Sequence, residues 1–409
     1  MRLSFLIVIS AFLLGGTQAH AESPIRPGDR VAIMGNTFAD QLRVHGYLET
    51  LLLQNSEENP VSIRNLGWGG DMLTARDRPT NFPSDESTLS DHKTDVIVAC
   101  FGFGESFAGN EGLTDFKSDL EAFIASHKGK KYNGRTEVRL ILVSPIGSED
   151  LGELTPNTEN RNGELQAYTQ AIGEVAKAAN LPFVDLYEQS RYLMNEPGPD
   201  MTTNGVHLRA YGYWAISNTF ANQLIKAEST EPWQIALDAK NASGDFSGVE
   251  LVNIESKDGS LNLKVKELSA PSLRPPTDET LPPQLSIRRD TLVVKNLKAG
   301  SYTLTIDGKE VASGTNTEWD AGVPIDSSPA HLEAEAYREL VNDKNLQFVY
   351  SWKALNQVHI VGERKTSASG SALPAEVIKF NEITKERDEA LGKGIELKTR
   401  EWKLTPTAK

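Results

Sequence analysis

The chain is poor in cysteine and in positive charge. Only one of its 409 residues is a cysteine, Cys100, so no internal disulfide can support the fold. Cys100 lies in an apolar run without basic neighbours, which favours a packed side chain over a nucleophile. Lysine and arginine number 42 against 56 aspartates and glutamates, and this net charge of −14 argues against nucleic acid or anionic lipid as a partner.

Two further signals are missing from the sequence. No His, Cys, Asp or Glu cluster has metal-ligand spacing. The glycines Gly67, Gly69 and Gly70 are not followed by Lys and Ser or Thr, as a phosphate-binding loop requires. We therefore expect no metal, no cofactor and no nucleic-acid partner.

The first residues have the pattern of an export signal. Arg2 gives a basic start, an apolar core runs from Leu3 to Leu14, and Ala19 and Ala21 form a small-x-small cleavage site. The apolar core is too short to span a membrane. This pattern predicts a signal peptide over residues 1–21, in preference to a buried N-terminal helix. The mature protein is then expected to be exported, to the periplasm or the medium, without membrane insertion.

Residues 27–227 alternate between strand-like and helix-like segments. The strand-like segments are 31–34, 61–66, 95–100, 138–144 and 182–186, and the helix-like segments are 40–54, 112–126, 162–179 and 208–225. Alternation of this kind predicts an α/β fold, with a parallel sheet covered by helices on both faces. In such sheets ligands bind beyond the carboxyl ends of the strands.

The composition changes after residue 227. Residues 245–323 hold strand-like runs at 261–265, 284–287, 291–294 and 301–306, and Asp307-Gly308 is a strong two-residue hairpin signal. This pattern predicts a small antiparallel β module, either covering an edge of the main domain or binding a ligand. Residues 330–409 are expected to form a C-terminal helical segment and a polar tail packed on the main domain, with a short strand or buried segment at 348–352.

Four short blocks lie near the predicted carboxyl ends of strands. They are residues 35–38 (Gly-Asn-Thr-Phe), 65–71 (Asn-Leu-Gly-Trp-Gly-Gly-Asp), 101–106 (Phe-Gly-Phe-Gly-Glu-Ser) and 204–208 (Asn-Gly-Val-His-Leu). Their order and spacing over residues 27–226 resemble the SGNH/GDSL hydrolases, which are serine esterases and lipases with an α/β/α flavodoxin-like fold. Any one block would be a weak signal, and the order of all four makes the resemblance specific.

The resemblance implies a catalytic role for residues of the first and fourth blocks. Thr37 occupies the position of the nucleophilic serine, and its hydroxyl can attack although its methyl group crowds the approach. The alternative is that Thr37 is only a turn or N-cap residue ahead of a helix. His207 occupies the position of the general base. Asn204 replaces the aspartate three residues upstream and can orient the imidazole, but it brings no charge to stabilise the imidazolium.

The second and third blocks imply an oxyanion hole that is short of one donor. The N–H groups of Thr37 and Gly70 fit two of the three donor positions. Gly104 stands where the family has an asparagine, and loss of one such donor typically costs about 3 kcal/mol of transition-state stabilisation. Ser106 is a candidate replacement.

Residues beside these blocks are candidates for substrate contact. They are Trp68, Asp71, Phe103, Glu105 and Ser106, with Trp68 expected to face a sugar ring. The first hypothesis is an exported hydrolase of carboxylic esters, acting on small-molecule esters or on short acyl groups of carbohydrates. The second is a catalytically degenerate protein of the same fold that binds carbohydrate.

Overall fold

The computed structural model describes residues 23–56, 59–79, 82–225, 231–241, 243–257, 259–282, 287, 289–353 and 366–407. The predicted signal peptide and the strand-like run at 284–286 lie outside these residues and stay predictions. None of the helices in the described ranges combines the length and apolarity needed to cross a bilayer.

The first part of the chain is an α/β domain around one parallel sheet. Its five strands are β1 (Arg30–Gly35), β2 (Ser62–Asn65), β3 (Val96–Cys100), β4 (Arg139–Val143) and β5 (Phe183–Val184). They are ordered β2-β1-β3-β4-β5, and each neighbouring pair is parallel. The predicted α/β fold with a parallel sheet is confirmed. The order reverses between β1 and β3, and a crevice forms at such a switch point.

Helices cover both faces of this sheet. They are α1 (Thr37–His45), α2 (Tyr47–Gln54), α3 (Asp85–His92), α4 (Leu113–His127), α5 (Thr158–Ala179), α6 (Tyr187–Met194) and α7 (Ala210–Leu224). Alternate strand residues face opposite sides, as the two-residue period of a strand requires. Val31 and Ile33 pack into one core with α1, α2 and α7. Ala32 and Met34 pack into the other core with α4 and α5.

The helix predicted over residues 40–54 is interrupted. Gly46 has φ 68°, in the left-handed region, and separates α1 from α2. A Cβ at this position would lie 2.2 Å from Oδ1 of Asn342, so the close approach of a later helix also requires glycine. The sequence prediction of one continuous helix was wrong here because Gly46 is both a helix end and a packing contact.

The second part of the chain forms two packed sheets. Their strands are β6 (Gln234–Asp238), β7 (Ser243–Ser247), β8 (Val249–Lys257), β9 (Ser260–Glu267), β10 (Thr291–Lys295), β11 (Ser301–Ile306), β12 (Lys309–Thr315), β13 (Val323–Pro324) and β14 (Thr399–Pro406). One sheet has the order β13-β10-β6-β7 and the other β12-β11-β14-β9-β8. They share a core that includes Trp233, Trp319 and Trp402. We call this unit the β module.

The hairpin predicted at Asp307-Gly308 is confirmed. β11 and β12 are antiparallel, with Ile306 opposite Lys309, and the two turn residues have φ 48° and 77°. Two positive φ values are the signature of a hairpin turn of this length. The pairing of β6 with β10 is parallel, however, so the module is not wholly antiparallel. Its sheets also include β6 and β14, which lie outside residues 245–323.

The remaining helices are α8 (Asn316–Ala321), α9 (Pro329–Trp352) and α10 (Ala368–Leu391). α9 packs on α1, α2, β2 and α10, and it covers the β2 edge of the parallel sheet. The segment 348–352, predicted as a short strand, is the end of α9, and the rings of Phe348 and Trp352 stack one helical turn apart. The tail does not pack on the main domain as predicted, because β14 lies inside the β module between β9 and β11.

Candidate active site

Thr37 begins α1 directly after β1. The preceding residue, Asn36, is the N-cap, and its Oδ1 accepts the N–H of Phe38 at 3.0 Å. Gly35 has φ 145°, and a Cβ there would lie 2.2 Å from the carbonyl oxygen of Cys100 on β3. The close contact between β1 and β3 therefore holds the threonine at the carboxyl edge of the sheet, beside the switch point.

Thr37 and His207 line the same pocket. Its other lining residues are Asn36, Phe38, Cys100, Phe101, Phe103, Ser144, Pro145, Ile146 and Val206. The structure thus brings the first and fourth blocks together at the carboxyl ends of β1, β3 and β4. Within the described part of the chain, no direct hydrogen bond joins the Thr37 hydroxyl to the imidazole. Catalytic hydrogen bonds are often long without substrate and tighten when it binds.

The side chain of Asn204 contacts the imidazole of His207. Its carboxamide lies against Nδ1, with Nδ2 at 2.9 Å and Oδ1 at 3.1 Å, and Oδ1 also accepts the His207 N–H at 3.0 Å. When Nδ1–H donates to Oδ1, the imidazole is in the tautomer whose Nε2 accepts a proton. Both side chains are exposed, so this pair can reach a substrate.

A buried carboxylate that sequence reasoning missed fixes the loop before α7. Glu149 is 5% exposed and accepts the N–H groups of Met201 and Thr202 at 2.8 and 2.7 Å and the Thr202 hydroxyl at 2.6 Å. The Glu149 N–H in turn donates to the carbonyl of Gly205 at 2.8 Å. No motif marks Glu149 in the sequence, because its partners, mostly main-chain groups, lie more than fifty residues away.

The second block forms a loop beside the threonine. The Trp68 N–H donates to the carbonyl of Gly35 at 3.0 Å and ties the loop to β1. A Cβ on Gly69 would lie 3.6 Å from Oγ1 of Thr37, so the loop borders the hydroxyl. Gly70 has φ 85° and open space where a side chain would stand. Among the described residues, its N–H has no protein acceptor, as an oxyanion donor requires.

The third block brings no side-chain donor to the pocket. A Cβ on Gly104 would lie 2.7 Å from Cγ and 2.9 Å from Sδ of Met72, so a methionine from the second loop fills this space. Ser106 is fully buried, and its hydroxyl donates to the carbonyl of Phe103 at 2.6 Å. It also accepts from Arg161 at 2.7 Å.

Glu105 holds the second and third blocks together. Its two carboxylate oxygens accept the N–H groups of Leu73 and Gly102, each at 2.9 Å. Burial raises the pKa of the Glu105 carboxyl above its usual range, although these donors oppose the shift. Both oxygens therefore already have main-chain partners, and the geometry shows a brace between loops.

Trp68 and Asp71 also have partners within the protein. The Trp68 ring makes edge contacts with Phe82 and Trp352, and the cations of Arg78 and Lys353 lie 4.6 and 4.7 Å from its centroid. Asp71 is buried and accepts two hydrogen bonds from Arg78, at 2.6 and 2.8 Å. The ring predicted to face a sugar is thus partly buried among other side chains of the protein.

An exposed aromatic side chain lies next to the pocket instead. Phe107 is 68% exposed, and its ring packs edge-on against that of Phe103, which lines the pocket, with centroids 5.6 Å apart. The Arg161 guanidinium lies 3.9 Å from the Phe107 centroid, and it is itself held by Glu164 and the carbonyl of Phe103. In the sequence this surface is marked only by Phe103 and Phe107 standing among glycines in the segment 102–109.

Cys100 lines the pocket but does not have the properties of a nucleophile. The thiol is fully buried, and burial raises its pKa to about 12. Within the described ranges, no group of three or more His, Cys, Asp or Glu side chains is placed to hold a metal ion.

Comparisons with known proteins agree with this geometry. Residues 30–215 match the model of the GDSL-like Lipase/Acylhydrolase family. This segment is therefore a GDSL-like lipase/acylhydrolase domain, as the four blocks predicted. The chain is accordingly an ester-hydrolysing enzyme.

The chain is similar to several solved structures at low sequence identity. A gut microbial diltiazem-metabolizing enzyme is 14% identical, with a TM-score of 0.64 over 94% of this chain and 99% of that chain. An acetylxylan esterase from Geobacillus stearothermophilus is 17% identical, with a TM-score of 0.38 over 49% of this chain and 96% of that chain. A catalytic mutant of that esterase is 16% identical, with a TM-score of 0.39 over the same shares. No curated protein matches the chain by sequence.

Proposed function

We propose that this protein is an exported esterase that removes short acyl groups from carbohydrates, with Thr37 as nucleophile and His207 as general base and acid. One observation carries the proposal: Thr37 and His207 line one pocket, and Asn204 contacts Nδ1 of the histidine. That arrangement supplies a hydroxyl, a base and a group that orients the base.

The reaction follows from these positions. Thr37 Oγ1 attacks the acyl carbonyl carbon while His207 Nε2 takes the hydroxyl proton, and the electron pair of the carbonyl π bond moves to its oxygen. The C–O bond to the alcohol then breaks, and the imidazolium returns the proton to the leaving oxygen. Water, activated by the same Nε2, hydrolyses the acyl-threonine and regenerates the hydroxyl. Asn204 holds the ring without a compensating charge, so we expect a slow enzyme.

The surroundings of the pocket support a short acyl group on a sugar. Phe103, Ile146 and Val206 give an apolar lining near Thr37, which suits an acetyl or similar group. Phe107 presents an exposed ring beside the opening, where the apolar face of a sugar can stack. We therefore assign to Phe107 the contact that the sequence suggested for Trp68. Asp71, Glu105 and Ser106 are left out of the proposed contacts because their polar atoms are engaged within the protein.

Export is part of the same proposal and rests on the N-terminal sequence pattern alone. Expression of the full chain with a C-terminal tag tests it. A mature N-terminus at Glu22 in the exported fraction supports the proposal, whereas an intact Met1 in the cytosol contradicts it.

Activity is tested with p-nitrophenyl acetate and a peracetylated monosaccharide. We expect hydrolysis of both, a mass increase of one acetyl group on Thr37 during turnover, and loss of turnover in Thr37→Ala. The matched control is Thr317→Ala, an exposed threonine of α8, which should keep the wild-type rate. Hydrolysis that survives Thr37→Ala contradicts the assigned nucleophile. An inert wild type that retains glycan binding supports the carbohydrate-binding alternative.

A further inference from the structure

The oxyanion hole implied by the family resemblance has two main-chain donors here, the N–H groups of Thr37 and Gly70, and lacks a third. Gly104 offers no side chain, and Met72 occupies the space where a side chain would stand. Ser106 cannot fill the gap, because its hydroxyl is fully buried and bonded to the carbonyl of Phe103. A third donor must come from another residue that lines the pocket.

The side chain of Asn36 carries a donor group, Nδ2, and lies where an oxyanion donor is needed. It lines the pocket together with Thr37 and His207, and it is only 7% exposed. Its Oδ1 is fixed by the helix cap to the Phe38 N–H at 3.0 Å. Because Oδ1 is engaged in the cap, Nδ2 is the side-chain atom of Asn36 that is left to donate elsewhere. In the described part of the chain Nδ2 has no protein acceptor, and it is not among the buried polar atoms sealed from solvent.

The identity of this residue matters because aspartate would fit the same cap. An aspartate at the N-cap accepts the same N–H and interacts favourably with the helix dipole. It has no proton to donate when ionised. The SGNH/GDSL motif has aspartate at this position and asparagine at the position of Gly104. In this chain the carboxamide stands in the first block and is missing from the third.

We propose that Asn36 Nδ2 is the third oxyanion donor, replacing the side chain that Gly104 lacks. When Thr37 Oγ1 attacks, the carbonyl oxygen gains the electron pair of the broken π bond, and Nδ2–H hydrogen-bonds to it beside the N–H groups of Thr37 and Gly70. The bond strengthens as charge develops, so it lowers the barrier more than it aids binding. This inference rests on the proposed esterase function.

The substitution Asn36→Asp tests the donor role of Asn36 separately from its role as the N-cap of α1. The substitution preserves the acceptor for the Phe38 N–H and removes the Nδ2 donor, so the protein should unfold at its usual temperature. Loss of one oxyanion donor costs on the order of 10²–10³ in kcat, and we expect a fall of about 100-fold with p-nitrophenyl acetate and little change in KM. Asn316→Asp, the same charge change in the first turn of α8, is the control and should keep the wild-type kcat.

A rescue variant keeps the test specific. Met72→Ala with Gly104→Asn opens the space and places a carboxamide at the third-block position. In the Asn36→Asp background this pair should raise kcat at least tenfold, because either carboxamide can supply the donor. In the wild-type background it should give a smaller gain, since the third donor is already present.

The outcomes are distinct. An active wild type whose kcat is unchanged in Asn36→Asp overturns the role of Asn36 and leaves the esterase function standing. A loss that appears only in KM or in thermal stability overturns it as well. A loss in kcat without rescue means the added charge, not the missing donor, is responsible, and this also overturns the inference. A wild type inert toward both esters overturns the esterase function and the role of Asn36 together.

Discussion

His207 and His331 contact similar types of residue, but His207 is exposed and His331 is buried. His331 lies between Ser328, whose hydroxyl is 2.6 Å from Nδ1, and Asp290, whose Oδ2 is 2.7 Å from Nε2. All three side chains are at most 1% exposed. His207 is exposed, contacts Asn204 through Nδ1, and shares a pocket with a hydroxyl side chain. The buried group has the residue types of a serine hydrolase triad, and the exposed group has only a variant of them.

The difference shows that access to solvent and substrate, and not residue type, distinguishes the residues around His207 from those around His331. Asp290 also accepts the N–H groups of Trp233 and Ser272, at 2.7 and 2.9 Å, and Ser328 caps α9. The buried triad thus joins the starts of β6, β10 and α9, where the β module meets the helical segment. No substrate reaches it, so its hydrogen bonds stabilise the fold. At His207 the same kinds of contact leave Nε2 available for chemistry.

The largest effect should come from removing the exposed histidine. We expect His207→Ala to lower kcat for ester hydrolysis by about 10³-fold or more, because no other pocket residue replaces it as a base. Its free energy of unfolding should change by less than about 0.5 kcal/mol, since the side chain is exposed. Steady-state kinetics and urea denaturation of the same preparation measure both. A variant that hydrolyses aryl acetates at the wild-type rate would show that the base is misassigned.

The buried histidine should show the reverse pattern. His331→Ala leaves the Asp290 carboxylate and the Ser328 hydroxyl without their ring partner inside the protein, and breaking such a group costs about 3 to 5 kcal/mol. The folded fraction should retain wild-type kcat. Leu332→Ala, at an exposed neighbouring position of α9, is the control and should cost far less. A loss of kcat without a loss of stability would contradict the structural role of the triad.

A third histidine, His45, should make the stability of the protein sensitive to acid. Burial, and secondarily the charge of Arg338, lower its pKa to about 4 from an ordinary 6.5. The unfolded chain therefore binds a proton below pH 6.5 that the folded chain refuses until about pH 4. Stability is fully present above 6.5 and falls between 6.5 and 4, by on the order of 2 kcal/mol for this partly exposed group.

His45→Phe should reduce that acid loss. A phenyl ring can retain the stacking on Tyr213, whose ring centroid lies 4.6 Å away. Denaturation at pH 7 and pH 4 compares the two proteins. The buried ring of His127, with its pKa also lowered to about 4 by burial, should leave part of the acid sensitivity in the variant. An unchanged difference between the two pH values would contradict the assignment to His45.

The smallest effect concerns the residue that orients His207. Asn204→Asp supplies the negative charge that stabilises an imidazolium, and we expect kcat to rise about tenfold, or about 1.4 kcal/mol in barrier. Asn195→Asp, at the end of α6, controls for an added charge. A fall in kcat would mean that the Nδ2 group, which lies 2.9 Å from Nδ1 of His207 and which aspartate lacks, matters more than the missing charge.

The parallel sheet and the four blocks were predictable because their signals are local. Apolar strands followed by short polar blocks, such as 31–34 and 35–38, carry their own pattern. The partners of those blocks were not predictable, since they depend on distant contacts. Trp68 looked free in a glycine-rich loop, yet Trp352 and Lys353 reach it from the end of α9. Met72, which fills the space beside Gly104, carries no motif.

β14 was missed although its sequence alternates. Arg400, Trp402 and Leu404 point inward, and the residues between them point outward. An arginine at an inward position argues against a buried strand unless acidic partners are present. Here Arg400 pairs with Glu267, Asp307 and Glu333, which come from three other parts of the chain. Local pattern alone cannot show such a network, so the sequence predicts only a polar tail.

The position of β14 also sets an order of events during synthesis. The parallel sheet is complete once Val184 has left the ribosome, whereas β9 and β11 lack their shared neighbour until residues 399–406 emerge. The nascent β module therefore carries two unpaired strand edges for more than ninety residues of translation, and such edges are sites of aggregation. The esterase domain can fold first and early, and the module closes around the last strand of the chain that the structure describes.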